Sequence, residues 1–251
     1  MSLFASIQNA NIQTKEEDVL GGSRTVPSNV YPAAIKLAYL DSSKNSKAIC
    51  AVFDFALLVN GKERNHKETI YISDGKGCFT YKDKQSGEDK PMPGFVTVDS
   101  ICKAVTGKSI TQLSTEKKTI KVYDFDQKAE VPQEKEVLMD LLRGKLELGI
   151  LEVTVDKTAK NESYDPSQPK QGTNLPYLPT GETRDQNELS KAFNEDGLTQ
   201  LEKESGATEA KFKAAWVEQY AGKKINKSKG AATGAKAGGV SKPAAASPLF
   251  G

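Results

Sequence analysis

Long apolar runs are missing from this chain. No stretch of its 251 residues reaches the roughly 18–20 apolar positions that a membrane-spanning helix needs. The N-terminus has neither a basic start nor a long apolar segment, so no signal peptide is expected. Cysteine and histidine are scarce as well. Cys50, Cys78 and Cys102 are far apart, no CxxC pair exists, and His66 is the one histidine. That set cannot complete a common zinc site, so no metal and no cofactor are expected. A sparse, odd cysteine count fits a reducing compartment, and the expected location is the cytoplasm.

Catalytic patterns are equally thin. Gly107-Lys108-Ser109 has the end of a phosphate-binding loop, but that motif needs a glycine where Cys102 stands. His66 lies in a polar, charged run and reads as a surface or turn residue. The carboxylates are scattered. The sequence therefore offers no catalytic residue, and an enzyme is not the expected class.

Charge is present in plenty but is segregated. The whole chain holds 35 Lys and Arg against 33 Asp and Glu. From position 211 onward there are eight lysines and one acidic residue, Glu218, which leaves 27 basic and 32 acidic residues before it. The body is mildly acidic and the tail basic. Such a tail suits an electrostatic partner, nucleic acid above all, or simply keeps the chain solvated.

Period-two patterning dominates the first 157 positions and predicts a mainly β fold. Residues 1–29 read as an N-terminal arm. Residues 30–40 (VYPAAIKLAYL) read as a strand with Pro32 near its start. Residues 48–59 (AICAVFDFALLV) are the strongest strand, with Phe53, Phe55, Leu57 and Val59 on one face. Asn60-Gly61 is a strong hairpin turn. Residues 69–73 and 78–82 read as a hairpin around Asp74-Gly75-Lys76-Gly77. The period then changes: Val98, Ile101, Cys102 and Val105 share one face of a helix at 97–106, with Gly107 as its C-terminal cap. Residues 119–125 return to a strand with Ile120 and Val122 inward. A second helix is expected at 134–142, and a last long strand at 145–155, bent by Gly149.

Beyond this, residues 158–185 are poor in apolar side chains and rich in proline, the composition of a linker or wrapping segment that Leu175, Tyr177 and Leu178 would anchor. Residues 186–221 read as a helical segment, with Phe212, Ala215, Trp216 and Gln219 on one face. Residues 222–251, built of Lys, Gly, Ala and Ser, read as a disordered basic tail with an apolar tip, Pro248-Leu249-Phe250.

Strands, one helix, then strands again is the order of an OB-fold, a Greek-key barrel whose second and third strands and adjoining loops hold oligonucleotides. One or two inserted helices and the C-terminal helices complete the expected architecture. Single strands are held by aromatic faces that stack on bases and by lysines that follow phosphates. Tyr71, Phe79 and Tyr81 interleave with Lys76, Lys82 and Lys84 in the region 69–95, and Tyr123 and Lys121 add to them from the strand at 119–125. Phe53 and Phe55 read as core instead. The carboxylates Asp74, Asp83, Glu88 and Asp89 leave the 69–95 region close to neutral.

From 30 to 157 the chain resembles bacteriophage single-stranded DNA-binding proteins of the OB-fold type. The V-Y-P-A strand carries the likeness, with the A-V-F-D-F-A-L-L-V strand leading to Asn60-Gly61-Lys62-Glu63 and the region from Tyr71 to Phe95. The D-S-I-C-K-A-V-T-G helix and the L-E-L-G-I-L-E-V strand complete it. The resemblance implies binding and protection of single-stranded DNA during phage replication, recombination or repair. It also implies a tail whose tip recruits phage or host polymerase and other replication proteins, here Pro248, Leu249 and Phe250. The usual tail is acidic, and this one is basic. Homo-oligomers are compatible with the sequence. The alternatives are a polymerase cofactor acting mainly through protein contacts, in transcription or replication, and a virion structural protein.

Overall fold

A computed structural model describes residues 25–43, 46–124, 127–169 and 171–229. The fold is mainly β. Strand β1 (Asn29–Ser42) pairs antiparallel with β2 (Ile49–Val59), and β2 with β3 (Lys62–Tyr71). The β2–β3 turn is the expected Asn60-Gly61 pair, with φ of 50° and 74°. Two left-handed positions in succession make the type I′ turn whose twist matches the strands it joins.

Alternation along β2 sets the core. Phe53, Phe55 and Leu57 are fully buried, and Val59 is buried at the strand's end. They meet Ile35 and Ala38 of β1, and Leu146, Leu148 and Ile150 of β8 (Lys145–Lys160). Each such side chain contributes about 1.5–3 kcal/mol by leaving water. Helix α1 (Pro93–Thr106) adds Val98, Ile101 and Cys102 to this core, as the sequence pattern predicts. Gly107 ends it with φ of 74°, a left-handed cap for which glycine carries no Cβ penalty.

The barrel order runs β3-β2-β1-β8, with β9 (Tyr177–Phe193) on the far edge of β8. All these pairings are antiparallel, so β3 and β9 run the same way. Between them α1 packs against both strands. The Glu68 carboxylate on β3 accepts a hydrogen bond from the backbone N–H of Leu189 on β9, 3.2 Å away. This is an OB-like Greek key.

Several elements differ from the sequence expectation. The strand after α1 is not the fourth barrel strand. It is β6 (Glu116–Asp124), which pairs with β7 (Ala129–Val137) as an inserted hairpin, and β8 takes the barrel position. The helix expected at 134–142 is therefore the end of β7 followed by a short 3-10 turn, Met139–Leu141. Leu138, Leu141 and Leu142 give helical spacing, but the turn is only three residues long.

The linker expected at 158–185 is instead the continuation of β8 to Lys160, a loop, and the start of β9. Residues 186–193, expected as helix, belong to β9. This distal ladder projects with most of both faces in water, so it carries no apolar alternation to read. Tyr177 is exposed rather than an anchor. The C-terminal helices are α2 (Gln200–Glu204) and α3 (Lys211–Tyr220). Trp216 of α3 is buried against β8, where Gly149 lies under its ring and where the β8–β9 register shifts. A Cβ at Gly149 would stand 3.1 Å from that ring.

Residues 222–229, expected as part of a disordered tail, are ordered. Strand β10 (Lys224–Asn226) pairs parallel with β8 at Glu152–Thr154, continuing the edge that β1 occupies upstream. The arm at 1–29 is described only from 25, where Val26 exchanges hydrogen bonds with the Asn187 side chain. The rest of the arm, and the tail beyond 229, lie outside the described residues. No helix among the described residues is long and apolar enough to cross a membrane.

Candidate nucleic-acid interface

Strand parity gives β1–β3 a second, outward face. After an irregularity between Ile35 and Leu37, Leu37 and Tyr39 point away from the barrel core, as do Cys50 and Val52 of β2. The β6–β7 hairpin leans on this face through Ile120, Val122 and Val137, making a separate small core. Ile120 and Val122 thus point inward as expected, but toward the back of the sheet.

Beside this contact the hairpin and the sheet enclose a cleft of about 620 Å³. Tyr71 and Tyr123 both line it, from β3 and β6 respectively. They are 53% and 44% exposed, enough to offer ring faces to a ligand. Tyr39, Cys50 and Val52 lie between them, with Lys67 and Thr69 along β3 and Gln133 and Lys135 along β7. Asp41, Ser42 and Ser43 close the end nearest the β1–β2 connection. Burial, then the nearby Asp41, Cys50 and Asp54, push the Tyr39 phenol up to about 12. It stays protonated and can donate a hydrogen bond. Burial also raises the Cys50 thiol, with Asp41 adding to the rise and Lys135 opposing it.

The expected 69–82 hairpin does not form. Residues 69–71 end β3 and pair with β2, while β4 (Thr80–Lys82) pairs with β5 (Asp89–Pro91) in a sheet of its own. The excursion leaves the barrel at Tyr71 and returns to it at Gly94, whose Cα lies against the Tyr71 carbonyl. Its first turn is held by Asp74, which accepts hydrogen bonds from the N–H groups of Lys76 and Cys78, both at 2.8 Å. The turn docks on the β1–β2 connection through a hydrogen bond from Lys47 N–H to the Gly75 carbonyl. Lys76 follows Gly75 in this turn and is not among the cleft's lining residues.

The remaining sequence candidates lie apart from the cleft. Phe79 rests edge-on against Phe95 at 6.0 Å between centroids, which leaves it 41% exposed. Tyr81 and Lys82 stand on β4, and Lys82 faces Asp89 at 3.8 Å. Lys84 is exposed in the β4–β5 turn. Lys121 shares a side of β6 with Tyr123 but is not among the cleft's lining residues. Pro248, Leu249 and Phe250 lie outside the described residues. Of the C-terminal lysines, Lys224 bonds Asp185 and Glu152, and Lys227 bonds Glu188. These cations are held by the β8–β9 hairpin rather than free.

Tyr39, Lys67, Thr69, Gln133 and Lys135 are lining residues that the sequence reading missed. Lys67 and Thr69 were legible, since they share the face of Tyr71 by period two. Lys135 was hidden by the expected helix. His66 is not a surface residue. It is buried on β3, stacked on Phe55, with Nε2 3.0 Å from the Glu68 carboxylate. Among the described residues no group of three or more His, Cys, Asp or Glu is placed to hold a metal ion.

No family model, no curated protein and no solved structure matches this chain.

Proposed function

We propose that the protein is a non-catalytic binder of single-stranded DNA with little sequence preference, serving phage DNA replication, recombination or repair in the host cytoplasm. The observation that carries this reading is the shared cleft: Tyr71 and Tyr123, from elements about fifty residues apart in sequence, line one open groove on the outer face of β1–β3. That is the face an OB-like barrel uses for oligonucleotides. Stacking on such rings contributes about 1–3 kcal/mol per base and tolerates any base. A duplex hides its base faces from such rings.

Lys67 and Lys135 supply cations in the groove, and Lys76 adds one from the Asp74 turn. Phe79, Tyr81, Lys82 and Lys84 extend the surface along the β4–β5 excursion, and Lys121 flanks Tyr123. Recruitment of polymerase or other replication proteins through Pro248, Leu249 and Phe250 belongs to the same reading.

Fluorescence titration with labelled oligo(dT) across a salt series tests the proposal. Tight binding at low salt that weakens as salt rises, with little binding to duplex, is the expected result. Absence of binding at low salt, or equal binding to duplex, would sink it.

A further inference from the structure

The cleft has an unusual charge balance for a groove that takes a polyanion. Its charged lining residues are Lys67 and Lys135 against Asp41 and Asp124, two cations and two anions, a formal sum of zero. One of the cations is already engaged. Lys135 Nζ donates to Asp41 Oδ1 at 2.7 Å, with the two side chains only 15% and 29% exposed. An ammonium so enclosed needs an anion beside it, because removing its partner leaves an uncompensated charge away from water.

A second feature marks the same place as anion-seeking. Lys118 stands directly across the β6–β7 ladder from Lys135. Like charges on opposed strand positions are destabilising, and here each lysine has its own carboxylate: Asp41 for Lys135, and Glu116 for Lys118 at 3.2 Å. The two lysines face each other across the ladder, Lys135 at the groove and Lys118 outside its lining, and each is held by one of the protein's own acids.

We propose that Lys135 exchanges partners when a strand enters: its ammonium leaves Asp41 for a backbone phosphate, and Asp41 is the resident counter-ion that the phosphate replaces. The exchange keeps Lys135 paired in both states. It also leaves Asp41 tolerably placed, since Oδ1 keeps the Ser42 N–H at 2.8 Å and the carboxylate still reaches water. The flexible lysine stem makes the move without a backbone shift. Asp41 thereby sets affinity by competing with the ligand for one cation. This inference rests on the single-strand reading and adds a regulatory element to the same groove.

The test measures oligo(dT) affinity of the full chain against salt for wild type, Asp41→Asn, Lys135→Gln and the double variant. Removing the competitor in Asp41→Asn should tighten binding about two- to fivefold at low salt, the range of a weak ion pair. Lys135→Gln should weaken binding and lower the slope of log K against log salt by about 0.7, one phosphate contact on a single strand. The double variant is charge-balanced and near-isosteric, so it keeps the fold if either single variant does not. It should show the same lowered slope. An unchanged slope in the double variant, or weaker binding by a folded Asp41→Asn, overturns the exchange. Failure of the wild type to bind oligo(dT) overturns the single-strand reading itself, so the two failures are distinguishable.

Discussion

Glu68 Oε2 accepts the backbone N–H of Leu189 at 3.2 Å, across 121 positions of sequence. The same oxygen lies 3.0 Å from His66 Nε2. One carboxylate oxygen thus joins β3 to β9 where the barrel would otherwise have an open seam, and positions the buried imidazole under Phe55. Glu68→Ala leaves a backbone N–H and a ring nitrogen short of a partner, at a cost of about 1–3 kcal/mol. Glu68→Gln keeps an acceptor and should cost less. Urea unfolding of the two variants checks the order, and equal stability of Glu68→Ala and wild type would remove the clasp.

Tyr71→Ala and Tyr123→Ala should each weaken single-strand binding by about 1–3 kcal/mol if each stacks on one base. Both rings are about half exposed, so melting temperatures should fall less than for loss of a buried aromatic. Unchanged affinity in the double variant would put the interface elsewhere, the β4–β5 excursion being the next place to look.

Gly94, the second residue of α1, has no room for a side chain, because a Cβ there would overlap the Tyr71 carbonyl and crowd Ile70 Cγ2. Gly94→Ala must push the helix start from the end of β3. The expected outcome is a destabilised protein with lower DNA affinity, since the displaced backbone carries Tyr71. A stable variant with wild-type binding would contradict the close approach.

Asp99 gives a pH dependence. Burial pushes its carboxyl up, but the Ser109 hydroxyl, the Lys103 ammonium and the Ile110 N–H outweigh that and hold it below the usual aspartate value. A depressed carboxylate contributes stability above its unfolded value, and the contribution is lost as pH falls through the lower folded value. Asp99→Asn should therefore be less stable than wild type at pH 5 and above. The gap should close on acidifying below about pH 4. Denaturant unfolding at several pH values measures it, and a gap independent of pH would remove the charge from the explanation.

Trp216 is the one tryptophan and is buried between α3 and β8. Its emission should be blue-shifted in the folded protein, move red on unfolding, and stay unchanged when oligo(dT) binds, because Trp216 and the residues clustered with it are not among those lining the cleft. Strong quenching by DNA would point to a contact near α3.

What the sequence made legible follows from alternation between a face in the barrel core and a face outside it. Along β2, Phe53, Phe55 and Leu57 keep that alternation although Cys50 and Val52 pack on the β6–β7 hairpin behind them, and α1 turns one face to the same barrel core. Tyr71 and Tyr123 stand out for the same reason, as aromatics out of phase with inward Ile and Val neighbours. The β8–β9 ladder beyond Val155 was illegible because solvent reaches both its faces, so no alternation is imposed. The β6–β7 hairpin was misread where Leu138, Leu141 and Leu142, packed by a 3-10 turn, mimic helical spacing. The pairing of Lys135 with Asp41 spans 94 positions, and no local pattern encodes it.

Strand β10 has a consequence for how the protein is made. Every other ladder among the described residues joins antiparallel strands, whereas β10, the last described strand, lies parallel on the edge of β8 at Glu152–Thr154. During synthesis from the N-terminus, the barrel and its β9 strand emerge before Lys224–Asn226 do. The nascent chain therefore carries a bare strand edge until its closing segment leaves the ribosome, and an unpaired edge is open to wrong partners. Two lysines of that segment, Lys224 and Lys227, meet the acidic residues Glu152, Asp185 and Glu188 already in place. Those ion pairs give this strand an electrostatic preference for its own edge.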